Sequence, residues 1–206
     1  MRNPSTREKL LQAGQDAMHQ AGFVGTGVLD ITNAAGVPKG SFYNHFPTKE
    51  EFGAEVADRY FSEHTASALK VLAESGLRPI ERLQKYFEEL TQMFSRLEFQ
   101  RSCMLGNFAL EMPERSPMMR DRLAVHFATW TKALAICIRH GQDAGEIRPD
   151  LDADELAEFT LNSWEGALLR MRVDKNTRSM NVFQNVIFKN LIAGALPHAR
   201  RDMPQR

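Results

Sequence analysis

The chain has 206 residues, of which 43% are hydrophobic and 25% are charged, so it can bury a core either as one long domain or as a small domain fused to a larger one. Its 26 basic and 26 acidic residues balance, and the overall charge therefore favours neither a nucleic acid nor a membrane as partner. No uncharged apolar run reaches the roughly 18 residues that cross a bilayer, and the first residues lack the apolar stretch of a secretory signal. We therefore expect a cytoplasmic protein with no membrane partner.

The N-terminal part of the chain carries the signals of three short helices. The sequence STRE has the form of a capping box and predicts the start of a first helix, which ends near Gly22. Thr26 is predicted to cap a second helix that Gly36 ends. Pro38 suits the first position of a third helix, because its missing N–H would be unpaired there in any case, and this helix reaches about Pro47.

Six further helices are predicted in the rest of the chain, which gives nine in all and almost no strand signal. A second capping box, TKEE, starts a long fourth helix, and apolar residues at helical spacing mark most of the others. Their signals lie at residues 48–74, 83–94, 104–112, 123–137, 152–172 and 182–196. The predicted fold class is therefore all-α.

The third helix combines aromatic and polar side chains in a way that neither a surface helix nor a buried helix requires. Phe42 and Phe46 are four residues apart, so they share one face, which we expect to be buried against the first and fourth helices. In a helix-turn-helix, one face packs on the scaffold while the other stays free to contact DNA. The second and third helices are predicted to form this motif.

The polar residues around the exposed sides of the motif have the chemistry that DNA contact requires. Lysines neutralise phosphates, hydroxyl groups donate to phosphate oxygens, a glycine lets the backbone approach closely, and amide or imidazole edges suit bases. Alternatively, Tyr43 and His45 could only fill space in the motif without contacting DNA. The predicted DNA contacts are Thr26, Lys39, Gly40, Ser41, Tyr43, Asn44, His45 and Lys49.

These residues lie in the run GFVGTGVLDITNAAGVPKGSFYNHFPTKEEF, which resembles the tetracycline-repressor-like (TetR) family of bacterial transcription regulators. The resemblance implies a helix-turn-helix DNA-binding domain at residues 1–47 and a helical ligand-binding and dimerisation domain at residues 48–206. Gly27 departs from the family, in which a larger polar residue often follows the capping threonine. Residues 1–50 hold five basic and four acidic residues, so this domain is not strongly basic. We therefore expect its affinity for DNA to depend on well-placed individual contacts and on the presence of two such domains in a dimer.

Two further stretches carry the resemblance. GEIRPDLDADEL looks like the turn before the dimerisation helices of the family, and RSCMLGNFALEM most resembles the branch of electrophile- and acrylate-responsive repressors. The family implies a repressor that a small-molecule inducer releases from a palindromic operator. We expect a homodimer joined by helices at 152–172 and 178–196. The apolar residues predicted for this interface are Leu161, Trp164, Leu168, Phe183, Ile187 and Leu191.

The second domain offers aromatic residues beside a few polar ones, which is the composition of a small-molecule pocket. Aromatic stripes at helical spacing are also the usual content of a helical core, so both roles stay open. Cys103 follows Arg101 at a helix start, where positive charge and the helix dipole would lower the thiol pKa, and it is predicted to capture the inducer covalently or to line its site. The candidate effector residues are Phe87, Phe94, Cys103, Asn107, Phe108, Glu111, His126, Trp130 and Trp164.

Metal and cofactor chemistry is not indicated by the cysteines and histidines. Cys103 and Cys137 form no CxxC pattern, which argues against a zinc site and a disulfide framework and predicts free thiols. His126 and His140 would lie near one helix face but roughly 20 Å apart at about 1.5 Å per residue, too far to ligate one ion. We predict no metal and no cofactor.

Two other classes of function stay open. Cys103 and His126 could act as nucleophile and general base, but no oxyanion-hole motif, glycine-rich phosphate loop, HExxH or GxSxG pattern accompanies them. The helical grooves could instead bind a protein, as in an adaptor. Saturable, sequence-selective DNA binding would discriminate a regulator from both, and we predict that the protein is not an enzyme.

Overall fold

The computed structural model describes residues 4–74 and 76–192, and within these ranges it consists of ten α-helices without a β-strand. The all-α fold class is therefore confirmed. None of the described helices is both long enough and apolar enough to cross a membrane. The helices are α1 Thr6–Ala21, α2 Val28–Ala35, α3 Lys39–Tyr43, α4 Lys49–Tyr60, α5 Ala66–Leu72, α6 Pro79–Arg96, α7 Met104–Glu111, α8 Pro117–Asp143, α9 Ala153–Asp174 and α10 Arg178–Val186.

The long fourth helix of the sequence prediction is interrupted. A π-helical turn, Phe61–Thr65, separates α4 from α5, and α5 ends at Leu72 rather than near residue 74. This interruption accounts for ten helices in the described residues instead of nine. A π-helical turn adds one residue to a helical turn, and the spacing of the hydrophobic residues does not reveal it.

The last helix starts at residue 178, as expected for the second dimer helix, and therefore four residues before the apolar pattern that begins at residue 182. It is α10, which begins at Arg178 and is followed by a second π-helical turn, Ile187–Leu191. The predicted range continues to residue 196, and residues 193–196 lie outside the described part of the chain.

The first four helices pack around a cluster of phenylalanines. Phe42, Phe46 and Phe52 are at most 1% exposed, and the distances between their ring centroids are 4.8 to 5.5 Å. The predicted burial of Phe42 and Phe46 is thus confirmed. A Cβ at Gly14 of α1 would overlap the Phe52 ring, which shows how closely α1 and α4 approach.

The capping boxes predicted at the starts of α1 and α4 are only half formed. Ser5 Oγ accepts the Glu8 backbone N–H at 3.2 Å, and Thr48 Oγ1 accepts that of Glu51 at 3.1 Å. The Glu8 carboxylate, however, pairs with Arg59 of α4 instead of returning to the N-cap. An ion pair between two helices has replaced a contact within one.

The remaining helices bury a second aromatic core, in which α8 packs along α9 and against α6. Trp130 of α8 and Trp164 of α9 lie with ring centroids 5.6 Å apart, and Phe87 and Phe94 of α6 contact Trp164 at 6.1 and 6.0 Å. All four side chains are at most 3% exposed. The aromatic stripes therefore form the core of this part of the chain.

The residues predicted for the dimer interface are mostly part of this core, and that assignment is wrong. Leu161, Trp164, Leu168, Phe183 and Ile187 are all at most 5% exposed within the single chain, so they have no surface left for a partner. The side chain of Leu191 lies outside the described residues. Another face of the same helices exposes Phe159 of α9 and Val182 and Val186 of α10, each at least half exposed.

Candidate DNA-contacting surface and effector site

The turn between α2 and α3 has the backbone of a helix-turn-helix. Gly36 ends α2 in the left-handed conformation, with φ of 66°, and its N–H donates to the Asn33 carbonyl at 3.1 Å. A residue with a Cβ rarely adopts this conformation. The N–H of Val37 then donates to the Thr32 carbonyl at 3.0 Å, and the chain turns directly into α3.

The exposed side of α3 carries most of the predicted DNA contacts. Tyr43 is 54% exposed, and its ring packs edge-on against the buried Phe42 at 5.3 Å. Ser41 is half-buried. A Cβ at Gly40 would meet nothing within 4 Å, so no packing inside the chain explains a glycine there. The exposed polar surface consists of Lys39, Gly40, Tyr43, Asn44 and His45.

The third helix is shorter than predicted. It ends at Tyr43, and the N–H groups of His45 and Phe46 both donate to the Phe42 carbonyl, at 3.0 and 2.9 Å. Because Phe46 precedes Pro47, it is disfavoured in the helical conformation. Asn44 and His45 therefore project from the turn after α3 rather than from the helix itself.

Thr26 is not placed as the sequence predicted. The N-cap of α2 is Gly27, whose N–H donates to Asp30 Oδ2 at 2.8 Å. Thr26 is 2% exposed, and its hydroxyl donates to the Gly22 carbonyl at 2.7 Å. Its hydroxyl is thus used inside the turn after α1, and both the capping role and the DNA contact predicted for Thr26 are corrected.

Lys49 lies at the edge of this surface and turns inward. Its Nζ is 4.4 Å from the centroid of the Phe23 ring, a cation–π geometry. Partial burial lowers the pKa of Lys49, while the carboxylates of Glu111 and Asp30 act in the opposite direction. A phosphate contact by Lys49 would require its ammonium group to leave the Phe23 ring.

The predicted sensor thiol lies in a buried polar cluster. Cys103 is the N-cap of α7 and is 3% exposed, and its thiol lies against the carboxyl of Glu165 from α9. A Cβ at Gly106 would come within 2.6 Å of Glu165 Oε2 and 3.7 Å of Cys103 Cβ. Both cysteines of the chain are free thiols, as predicted.

The electrostatic environment of Cys103 is the reverse of the predicted one. Burial, and then the neighbouring Glu165 carboxylate, raise the pKa of the thiol well above its ordinary value. Arg101 is directed elsewhere, with Nη1 3.9 Å from Asp16 Oδ1. The prediction that positive charge at a helix start lowers the pKa of Cys103 is therefore wrong, because the thiol lies inside the protein and faces an acid.

The sequence gives no signal that singles out Glu165, Tyr60 or Tyr86 as members of this cluster. Burial raises the pKa of the Glu165 carboxyl to about 7, and its Oε1 is buried with no hydrogen-bond partner among the described residues. Burial also raises the pKa values of Tyr60 and Tyr86 well above the ordinary value, with a smaller effect from Cys103 and Glu165. The cluster thus gathers side chains from α4, α6, α7 and α9.

Several buried donors at the cluster lack a partner. The Trp130 indole N–H, the Trp164 indole N–H and the Tyr86 hydroxyl are each buried without a hydrogen-bond partner among the described residues. Tyr86 and Trp130 lie next to each other without completing a bond. An unpaired buried polar group costs about 1 to 3 kcal/mol, so this concentration of them marks a place where a hydrogen-bonding ligand would be stabilised.

The predicted effector residues are only partly brought together there. Cys103, Trp130 and Trp164 belong to the buried cluster, whereas Phe87, Phe94 and Phe108 are core aromatics at most 1% exposed. His126 Nε2 donates to Asp58 Oδ1 of α4 at 2.8 Å, and its ring stacks on Phe61 at 4.5 Å. His126 is thus occupied at the junction of α4 and α8, and it does not form the pair with Cys103 that an enzyme would need.

Asn107 and Glu111 connect α7 to the first two helices rather than to the cluster itself. Ser102 Oγ donates to Asn107 Oδ1 at 2.9 Å, while the Ser102 carbonyl accepts the Nε2 proton of His19 from α1 at 2.8 Å. At the other end of α7, Glu111 Oε2 accepts the Val24 backbone N–H at 2.7 Å. Both ends of α7 are therefore bonded to α1 and to the turn between α1 and α2.

Comparison with known proteins agrees with this architecture. Residues 10–56 match the family described as bacterial regulatory proteins, tetR family, and residues 79–187 match the tetracyclin repressor-like C-terminal domain. These matches cover the helix-turn-helix and most of the remaining helices. The chain belongs to the tetR family of bacterial regulatory proteins.

Individual relatives extend over nearly the whole chain. The HTH-type transcriptional repressor DhaR of Mycobacterium sp. (strain GP1) is 38% identical over 192 residues, which are 93% of this chain and 95% of that one. The transcriptional regulator AcuR of Cereibacter sphaeroides is 30% identical over 185 residues, 90% of this chain and 84% of that one. A crystal structure of regulatory protein TetR from Rhodobacter sphaeroides, 31% identical, superposes with a TM-score of 0.84 over 89% of this chain and 97% of that chain.

Proposed function

We propose that this TetR-family transcriptional regulator acts in the cytoplasm as a dimeric repressor, which a small molecule releases from a palindromic operator. Regulators of this family bind DNA operators and dimerise. In this chain we assign DNA binding to residues 1–47 and ligand binding with dimerisation to residues 48–206. The observation that carries the proposal is the surface of α3, where polar groups are exposed while Phe42 and Phe46 are buried beneath them.

The proposed contacts to DNA divide into two kinds. Lys39, Ser41 and Tyr43 present a cation and two hydroxyls, which suit phosphates. Asn44 and His45 project from the turn after α3 and present hydrogen-bonding edges, which suit bases. Gly40 leaves open space between them, where the DNA backbone could approach.

The proposed dimer interface is the exposed face of α9 and α10. Phe159, Val182 and Val186 are exposed there along a groove of about 590 Å³ between the two helices. Exposed apolar surface of this kind marks an interaction site. A second copy of the chain, related by a two-fold axis, would bury it and place two helix-turn-helix motifs on one operator.

The proposed inducer site is the buried cluster around Cys103 and Glu165. Unpaired donors on Trp130, Trp164 and Tyr86 favour a small molecule with hydrogen-bond acceptors. Cys103 lines this site as a neutral thiol, because its pKa is raised and the nucleophile in thiol chemistry is the thiolate. The resemblance to electrophile- and acrylate-responsive repressors makes a carbonyl compound the class to test first.

The experiment titrates small carbonyl compounds, acrylate-like and quinone-like, against the complex of the protein with the promoter DNA beside its own gene. Wild type is compared with Cys103→Ser and Glu165→Gln. We expect at least one compound to release the DNA, reversibly on dilution and with Cys103→Ser still responsive, while Glu165→Gln changes the concentration required. Release that is irreversible and is abolished by Cys103→Ser would contradict the neutral-thiol assignment. A failure of every compound would remove carbonyl inducers from the proposal.

A further inference from the structure

A second cleft lies between α1 and the body of the protein, and Tyr60 is the side chain that it shares with the buried cluster of the proposed inducer site. It encloses about 450 Å³, within the range of small-molecule sites. One wall consists of α1 residues that include Gln12 and Asp16, and the other includes Met93 of α6, Leu97 at the C-cap of α6 and the loop before α7. The cleft is thus bounded by a helix of the DNA-facing part on one side and by the ligand-binding part on the other.

The inner surface of the cleft combines apolar side chains with the buried polar side chains of Gln15 and His19. Met93 and Leu97 are half-buried there, and Tyr60 is 3% exposed behind them with its ring against His19 at 5.2 Å. These side chains would cover a short hydrocarbon chain. Apolar surface that is covered in this way stabilises a complex in proportion to its area.

Two arginines line the cleft, and they differ in how they are paired. Arg101 Nη1 is 3.9 Å from Asp16 Oδ1, too long for a hydrogen bond, and Asp16 Oδ2 already accepts from Gln12 Nε2 at 3.1 Å. Arg96 is exposed and forms no ion pair with any residue in the described ranges.

The second acid of the cleft, Glu63, pairs with Arg59, which also pairs with Glu8 of α1. Its Oε1 lies 2.9 Å from Arg59 Nε, and its Oε2 accepts from Gln15 Nε2 at 3.2 Å. Arg96 therefore lies beside the half-buried Met93 and Leu97 without a carboxylate partner among the residues that the structure describes. Arginine binds carboxylates with paired, charge-assisted hydrogen bonds, which an amide or an amine cannot reproduce.

We propose that this cleft binds a small monocarboxylate with a short hydrocarbon chain, with the carboxylate between Arg96 and Arg101 and the chain on Met93 and Leu97. This site goes beyond the proposed inducer site, because none of its lining side chains is one of the unpaired donors of the buried cluster. A bound carboxylate competes with Asp16 for Arg101. Its occupation is therefore linked to the contact between α1 and the body.

The test is calorimetric titration of the full chain, without DNA, with hexanoate, hexanamide and hexylamine. We expect hexanoate to bind at one site per chain, about tenfold or more tightly than hexanamide, and hexylamine not to bind. Arg96→Gln and Arg101→Gln should each weaken hexanoate about tenfold, since each removes a charge-assisted contact. Arg120→Gln, at an exposed arginine of α8, is the matched control and should bind as wild type does.

Asp16→Asn is a further variant to test. It removes the carboxylate that competes with the ligand for Arg101, so hexanoate should bind with the same affinity as in wild type or more tightly. Equal binding of hexanoate and hexanamide, or binding that both arginine variants retain, would overturn the proposal. So would loss of binding in Glu165→Gln with retention in Arg96→Gln, since the ligand would then occupy the buried cluster. Thermal unfolding of each variant checks that its fold is intact.

Discussion

Glu111 Oε2 accepts the backbone N–H of Val24 at 2.7 Å. This hydrogen bond joins the C-terminal end of α7 to the turn between α1 and α2. The N-terminal end of α7 is joined to α1, because His19 Nε2 donates to the Ser102 carbonyl at 2.8 Å. Cys103, the N-cap of the same helix, belongs to the buried cluster. A ligand that displaces α7 would therefore act directly on α1 and on the turn between α1 and α2.

The Glu111 contact should contribute measurably to stability. Glu111→Ala removes a charge-assisted acceptor and is expected to lower the free energy of unfolding by about 1 kcal/mol, since the bond is partly solvated. Glu111→Gln keeps an acceptor oxygen and should lose less. Urea unfolding of both variants measures the difference. Equal stability of Glu111→Ala and wild type would show that the contact contributes nothing in solution.

Glu165 should make stability fall as pH rises. Burial raises the pKa of the folded carboxyl from 4.5 to about 7, so between these values the folded state holds a proton that the unfolded state has released. The contribution of Glu165 to the free energy of unfolding is therefore greatest below about pH 4.5 and is lost as pH rises from there through 7, a change on the order of 3 kcal/mol.

Urea unfolding at pH 5 and pH 8 tests this effect. The loss of stability between the two values should be smaller in Glu165→Gln than in wild type, because glutamine does not titrate. Glu158→Gln, at an exposed carboxyl of the same helix, is the control and should follow wild type. The same loss in all three proteins would contradict the assignment of the titration to Glu165.

The two kinds of DNA contact should be separable by mutation. Lys39→Ala and Tyr43→Ala should weaken binding to all DNA sequences, because phosphates are common to them. Asn44→Ala and His45→Ala should instead relax preference at particular operator positions, by about 1 to 3 kcal/mol. Fluorescence anisotropy with operator and scrambled duplexes measures both effects. If all four variants lost affinity equally for both duplexes, the base contacts would be assigned wrongly.

The dimer interface should be sensitive to charge at exposed positions of α9 and α10. Phe159→Glu and Val186→Glu should each dissociate the dimer, because the proposed two-fold contact would bury the new carboxylates. Val125→Glu on α8, where the valine is also exposed, is the control and should leave the dimer intact. Light scattering reads the result against the chain mass of 23.4 kDa. A wild-type protein of that mass at micromolar concentration would contradict the dimer itself.

The helix-turn-helix could be predicted from sequence because its signals are local. Two phenylalanines four residues apart, a glycine that ends a helix and a proline on each side of α3 leave few alternative conformations. Thr26 was misplaced because a threonine hydroxyl serves equally well as an N-cap or as a donor to a carbonyl four residues earlier. Which of these bonds forms depends on how the turn packs, and this information is not local.

The effector site and the dimer face were harder to predict because α9 is apolar on two sides. Trp164 and Phe159 both follow helical spacing, and periodicity alone does not tell which side the other helices cover. Glu165 looks like an ordinary surface acid beside Trp164. Only the packing of α7 against α9 shows that its carboxyl is buried beside Cys103.

The most direct test of the proposed function is binding to the promoter DNA beside the protein's own gene, measured by fluorescence anisotropy over a salt series. We predict saturable binding, tighter than binding to a scrambled duplex by about a thousandfold or more, with two chains per operator and affinity that falls as salt rises. Lys39→Ala combined with Asn44→Ala should remove most of this selectivity. Equal affinity for promoter and scrambled duplexes at every salt concentration would contradict the account.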